Sequence, residues 1–200
     1  MATTLAQAKT ALRRTIKAKL KALDAADIAA QSQIVIEKLR ALEAFQRARS
    51  VSIFVSLPHE VETRGIIREM LRTGKRVFLP RYREGTKEMD MVQVSSEKEF
   101  DALPRTKWNI QQPSMDAVCA EAIDAGGLDL VICPGVAFTI EGHRCGYGMG
   151  YYDRYLTKLR NSCPNKKAVL VGLAFKVQIV DNAELPWEDT DIKMDRILHS

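Results

Sequence analysis

The run Leu128-Asp129-Leu130-Val131-Ile132-Cys133 stops at Pro134-Gly135. It is followed by Gly142-His143-Arg144-Cys145-Gly146-Tyr147-Gly148-Met149-Gly150-Tyr151-Tyr152-Asp153. A strongly apolar strand that feeds a glycine-rich loop and then a helix belongs to an open α/β sheet, where ligands sit at the carboxyl ends of the strands. Gly146, Gly148 and Gly150 alternate, so the backbone can approach a ligand closely and adopt positive φ. The N–H groups of such a loop, with a helix N-terminus behind them, attract anions. No Gly-Lys-Ser/Thr follows and the spacing is not G-x-G-x-x-G, so neither common phosphate fingerprint applies. A bare G-x-G-x-G is as readily a flexible turn. The context favours phosphate: a strand before, a helix expected over 150–159, Arg144 at the mouth and Asp153 in the first helical turn. Asp153 in that turn either complements the helix dipole or ligates Mg²⁺, which takes one or two carboxylates together with phosphate oxygens and water.

The remaining elements fit the same class. Leu5, Ala8, Leu12, Ile16, Leu20 and Leu23 recur at helical spacing. Asp24 is an N-cap residue for a second helix that the pattern carries to about Phe45. These two helices form a hairpin ahead of the first strand, Val51 to Val55. Thr63 is placed to cap a helix running through Arg72, Gly74 ends it, and Arg76 to Leu79 is the next strand. Strand, helix, strand implies parallel pairing. Met89 to Val94 alternates as a strand does, Trp108 to Pro113 has loop composition, Ala168 to Phe175 is a buried strand, and one more strand is expected after Ile192. The expected architecture is a single α/β domain over residues 1–200, with a mostly parallel sheet, helices on both faces and an N-terminal helical hairpin.

Charge is unevenly spread. The formal net charge is +5, yet residues 1–23 carry Lys9, Arg13, Arg14, Lys17, Lys19 and Lys21 with no acid, and the rest is nearly balanced. Three explanations compete: a solvated helix face, a mitochondrial presequence, or phosphate binding. Lys9 and Arg13 are four apart and share one face. If that helix lies beside the glycine loop, a point-charge lysine and a forked arginine reach the same phosphates. The cysteines at 119, 133, 145 and 163 have no zinc spacing and read as free thiols of a reducing compartment. No apolar stretch is long enough to span a membrane.

Several ordered segments together resemble the 5-formyltetrahydrofolate cyclo-ligase (methenyltetrahydrofolate synthetase) family. They are Lys9-x-x-x-Arg13-Arg14, Ser52-Ile53-Phe54-Val55-Ser56, Glu60-x-Glu62-Thr63, Pro80-Arg81-Tyr82-Arg83, Met89-Asp90-Met91-Val92, Trp108-Asn109-Ile110, Gly127-Leu128-Asp129-Leu130, Gly150-Tyr151-Tyr152-Asp153 and Asp191-Ile192-Lys193-Met194-Asp195. The resemblance implies conversion of 5-formyltetrahydrofolate and MgATP to 5,10-methenyltetrahydrofolate, ADP and phosphate. It implies an ATP site made of Lys9, Thr10, Ala11, Leu12 and Arg13, of Trp108 against the adenosine, and of the loop residues Arg144, Cys145, Gly146, Tyr147, Gly148, Met149, Gly150, Tyr151 and Tyr152. Lys9, Arg13, Arg144 and Tyr152 take the catalytic roles. Val55, Glu60 and Tyr82, with Tyr147 to Tyr151, are the implied folate contacts. Asp153 and Asp191 resemble the Mg²⁺ ligands. One departure stands out: the vertebrate-type loop reads G-R-G-K-G, and Tyr147 and Met149 occupy its two basic positions here.

The resemblance implies small-molecule partners, a reduced folate and ATP; a monomer is expected, and cytoplasm is the default location with mitochondria as the alternative. A kinase or ligase acting on another pterin remains the competing enzyme reading. An RNA-binding helix is disfavoured, because the charge is confined to one helix and not interleaved with aromatic side chains.

Overall fold

The computed structural model describes residues 4–106 and 109–200. The helical hairpin is present. α1 (Leu5–Lys21) starts at a reciprocal cap between Thr4 and Gln7 and buries Ile16 and Leu20. α2 (Ala25–Ala41) is capped by the Asp24 carboxylate, which accepts from the Asp27 N–H. The helix expected to reach Phe45 breaks at Leu42, whose extended backbone separates a short α3 (Glu43–Arg47) from it. Leu39, Leu42 and Phe45 keep helical spacing across that break, which hides it from a reading of periodicity.

β1 (Ser50–Ile53) leads to α4 (Arg64–Arg72) and β2 (Arg76–Tyr82). Thr63 holds the N-cap position of α4, but its hydroxyl does not cap. It donates to the Phe54 carbonyl at 2.8 Å and accepts from the Ser56 N–H at 3.0 Å, so it fixes the exit of β1 instead. β3 (Met89–Val94) is followed by α5 (Glu97–Asp101), a short helix capped by Ser96. After an irregular stretch come β4 (Leu130–Cys133), the two-residue strands β5 (Ala137–Phe138) and β6 (Arg144–Cys145), α6 (Tyr151–Ser162), β7 (Val169–Ala174) and β8 (Arg196–His199).

The main sheet runs in the order β3-β2-β1-β4-β7-β8, and β5-β6 form a separate antiparallel pair. β1 pairs in parallel with both β2 and β4, β4 with β7 and β7 with β8. Only β3 is antiparallel, opposite β2. The mostly parallel sheet with helices on both faces is therefore as expected. Alternation along each strand feeds two cores. Val51, Ile53, Leu130 and Ile132 join the core beneath α1, α2 and α4, whereas Val131, Cys133 and Leu170 join Tyr155, Leu156 and Leu159 of α6.

Two features of this topology prepare a site. The chain passes from β1 to β2 on one side and later to β4 on the other, so the order switches at β1. Crevices form outside the carboxyl ends of strands at such a switch. In addition, β1 pairs with β2 only as far as Ser52 and Phe78. Pro80 lies beyond that point, still paired with Met91 of β3, where its missing N–H breaks no rung with β1. The ends of β1 and β2 part, and a cleft opens between them.

Candidate active site

Two cavities flank the glycine-rich loop. One, of about 340 Å³, lies at the carboxyl ends of β1, β2 and β4, and its walls include Phe54, Val55, Leu57, Glu60, Pro80, Tyr82, Ile110, Pro134, Tyr147, Met149, Tyr151 and Tyr152. The other, of about 810 Å³, is walled by Thr4 to Ala6, Lys9, Thr10 and Arg13 of α1, by Cys145 and Gly148, by Arg154 and Thr157 of α6, and by Glu188, Thr190 and Asp191. Arg144, Gly146, Gly150 and Asp153 line both. The loop is thus a thin partition between an apolar chamber and a polar one.

The partition is built from both ends of the chain. α1 packs on β5 and on the helical turn Lys176–Gln178, which brings its basic face to the loop. The Arg13 Nε donates to the Gly146 carbonyl at 2.8 Å. Lys9 donates to Asp191 at 2.5 Å and to Glu188 at 3.2 Å. Burial opposes the charge on Lys9, but these two carboxylates outweigh it and hold its pKa above the ordinary lysine value. The segment around 188–194 is itself held down. Trp187 stacks on His143 with 4.5 Å between ring centroids, and the Met194 N–H bonds to the Gly142 carbonyl at 2.8 Å. Gly142 has φ +99°, and a Cβ there would stand 2.3 Å from the Met194 carbonyl oxygen, so that close approach requires glycine.

On the partition, the Arg144 guanidinium is buried. It donates to Asp153 at 2.7 Å, contacts the Pro134 carbonyl at 3.4 Å and sits 5.6 Å over the Tyr152 ring. Its Nε is buried without a hydrogen-bond partner among the described residues, and the buried Tyr152 hydroxyl has the Tyr82 hydroxyl beside it. Buried orphan polar atoms are rare in folded proteins; the free Arg144 Nε at this wall marks a place where a ligand's polar group fits. Burial pushes the Tyr152 phenol well up, with Tyr82, Cys133 and Glu60 adding to the effect. Gly150 forms the N-cap of α6 in the left-handed region, φ +65°, which turns the loop sharply into the helix.

In the apolar chamber Glu60 is buried. Burial raises its pKa against the opposing pull of the Leu57 N–H, the Tyr147 hydroxyl and Arg64. Its oxygens accept from the Leu57 N–H at 2.8 Å and the Tyr147 hydroxyl at 2.5 Å. Tyr82 meets Tyr151 edge to face at 5.0 Å, and the Tyr151 hydroxyl donates to the Thr86 carbonyl. A flat heteroaromatic with N–H donors matches such walls: rings against rings, donors toward one carboxylate.

Asp153 and Asp191 both line the polar chamber. Among the described residues Asp153 Oδ1 takes Arg144 and the Ile192 N–H, and Asp191 Oδ2 takes Lys9 and the Glu188 N–H, so each keeps one oxygen without a protein donor. Two carboxylates with free oxygens beside a roomy polar cavity are the groups that could hold Mg²⁺ together with a polyphosphate; no cluster of three or more His, Cys, Asp or Glu side chains is present here or elsewhere among the described residues.

The structure brings together most residues singled out in the sequence. Ala11 and Leu12 line neither chamber, and Leu12 packs on the core. Trp108 lies outside the described residues. Phe54, Leu57, Pro80, Ile110, Glu188, Thr190 and Thr157 were not foreseen. Phe54, Leu57 and Pro80 flank residues that were, and a cleft at strand ends could have suggested them; Glu188 and Thr190 carry no local signal.

A sequence model of the 5-formyltetrahydrofolate cyclo-ligase family matches residues 5–200. The chain belongs to that family. A 5-formyltetrahydrofolate cyclo-ligase from Mus musculus is 40% identical over 198 residues, covering 99% of this chain and 96% of the relative. A probable cyclo-ligase from Caenorhabditis elegans is 35% identical, covering 96% and 93%. The solved 5,10-methenyltetrahydrofolate synthetase of Aquifex aeolicus superposes with a TM-score of 0.76 at 28% identity, covering 96% of this chain and 89% of that one. The cyclo-ligase likeness thus spans both chambers and the partition.

Proposed function

We propose that this chain cyclises 5-formyltetrahydrofolate to 5,10-methenyltetrahydrofolate, with ATP converted to ADP and phosphate. The observation that carries the reading is the shared partition. Arg144, Gly146, Gly150 and Asp153 line both an apolar chamber suited to a pterin and a polar chamber suited to a polyphosphate. A reaction between a folate oxygen and a terminal phosphate needs that adjacency.

In the proposed sequence the formyl oxygen attacks the γ-phosphorus, and the bond from that phosphorus to ADP breaks. N10 then adds to the activated formyl carbon, loses its proton, and the carbon–oxygen bond to phosphate breaks. A formamide oxygen is a poor leaving group, and phosphorylation makes it a good one. The protein's task is alignment and charge neutralisation. Glu60 accepts the N–H groups of the pterin, and Val55, Tyr82 and the 147–151 loop hold its rings. Lys9, Arg13 and the loop amides hold the phosphates, with Thr10 and Cys145 on the same wall. The Arg144 guanidinium, whose free Nε lies at the partition, and the Tyr152 hydroxyl face the transferring group. Mg²⁺ held by Asp153 and Asp191 would neutralise charge on the phosphate oxygens. Apolar walls keep water from the activated formyl group.

Both chambers are completed within one chain, which supports a monomer. Ile16 and Leu20 of α1 are buried in the core, so the basic helix belongs to the folded domain; cytoplasm is the proposed compartment, with a mitochondrial location as the alternative. Among the described residues no helix is long and apolar enough to cross a membrane.

The test is to mix the protein with (6S)-5-formyltetrahydrofolate, ATP and Mg²⁺ and follow the near-ultraviolet band of the methenyl product. ATP-dependent growth of the band is expected. No band from folded protein that still binds ATP would mean that the chain acts on another pterin.

A further inference from the structure

Both oxygens of Glu60 accept from protein donors. Oε2 accepts from the Leu57 N–H at 2.8 Å and Oε1 from the Tyr147 hydroxyl at 2.5 Å. The first bond belongs to the tight turn 57–60, whose Glu60 N–H bonds back to the Leu57 carbonyl. The second comes from the partition loop, across 87 residues of sequence. Tyr147 is 42% exposed, so its ring reaches from solvent to the buried carboxylate at the chamber's edge. On its outer side the Lys17 ammonium lies 5.4 Å from the ring centroid. A phenol O–H directed at Glu60 resembles the N–H donors that a pterin would direct there.

We propose that Tyr147 is a latch on the folate chamber: its hydroxyl holds Glu60 in the absence of substrate, Lys17 clamps its ring from outside, and a reduced folate must displace it to bind. This rests on the cyclo-ligase reading above. The exchange gives specificity. A ligand lacking N–H donors for Glu60 leaves a buried carboxylate unpaired when it moves the phenol and is rejected, whereas a pterin replaces the bond it breaks. The exchange also reaches the nucleotide side, because Gly146, the neighbour of Tyr147, carries the carbonyl that receives Arg13. Displacing the latch therefore shifts a contact of the phosphate-binding helix.

The sign of the test follows from which state owns the bond. Tyr147→Phe removes a hydrogen bond present only before folate binds, so the free enzyme is destabilised and the complex is not. Equilibrium binding of 5-formyltetrahydrofolate without ATP should tighten about tenfold, equivalent to ~1.4 kcal/mol. Ligand-free Tyr147→Phe should melt below wild type, and the gap should close at saturating folate. Lys17→Ala loosens the clamp without touching the chamber and should tighten binding by about threefold. Weaker or unchanged folate binding in both variants overturns the latch alone, since the Tyr147 hydroxyl would then keep its bond in the complex or matter in neither state. No binding of 5-formyltetrahydrofolate by wild type or either variant overturns the cyclo-ligase reading and the latch with it.

Discussion

At the scale of single residues, Arg144 concentrates the most chemistry. Its guanidinium is buried, pairs with Asp153 and keeps Nε free at the wall between the chambers. Replacing it with methionine leaves Asp153 without its cation. The expected cost is about 2 kcal/mol of stability, less than for a fully buried pair because Asp153 reaches solvent. The double substitution Arg144→Met with Asp153→Asn should restore most of the melting temperature. Activity should fall at least a hundredfold in both, because a donor aimed at developing charge is lost. Thermal melts beside methenyl-band kinetics check this, and recovery of rate in the double variant would contradict the role. Arg144 was visible in the sequence as the cation of the loop. Its burial and its bond to Asp153 were not, because they depend on β6 turning the side chain beneath the loop.

Elements show a similar division. Periodicity marks α1 because its apolar positions face one core, and the alternating run marks β3. The two-residue strands β5 and β6 are too short to leave a pattern, and α5 has too few turns to show one. The position of α1 against the loop was only conditional in the sequence, since a basic face on a helix looks the same whether it meets phosphate or water. Packed as it is, α1 lines the polar chamber with Lys9, Thr10 and Arg13. Lys9→Ala should therefore raise the KM for ATP by about tenfold or more, as expected for a lost charge-assisted contact, and leave the folate dissociation constant unchanged. Initial-rate kinetics with each substrate varied in turn checks the asymmetry. An equal effect on both would place Lys9 in the folding of the partition instead.

Across the whole molecule, stability and chemistry occupy opposite ends of the sheet. The chambers lie at the carboxyl ends of β1, β2 and β4. At the other end Asp129, the lone charge in the most apolar strand segment, accepts from the Arg49 and Ser50 N–H groups at 2.8 Å and pairs with Lys166 at 2.9 Å. Burial would raise its pKa, but Lys166 and the two N–H donors outweigh that and hold it below the ordinary carboxylate value. Because the folded pKa is the lower one, its contribution to stability is complete above the unfolded value of about 4 and is lost as pH falls through the folded value. Asp129→Asn should cost about 1–3 kcal/mol at neutral pH, flatten the acid limb of the stability curve and leave turnover intact. Denaturant titrations from neutral pH to pH 3 test both parts. The sequence announced the strand but not the purpose of its aspartate, which needs β1 alongside to be seen.

The ion pair that joins α1 to the segment near residue 191 has a consequence during synthesis. Lys9 and Asp191 are separated by 182 positions in the chain. On the ribosome, the walls of the folate chamber are all available once residue 153 has emerged, whereas the nucleotide chamber stays open on one side until residue 191 follows. Because Gly142 is pinned by Met194 and Arg13 reaches the loop from α1, the partition itself takes shape only after that late segment has been translated, and neither chamber is finished before it.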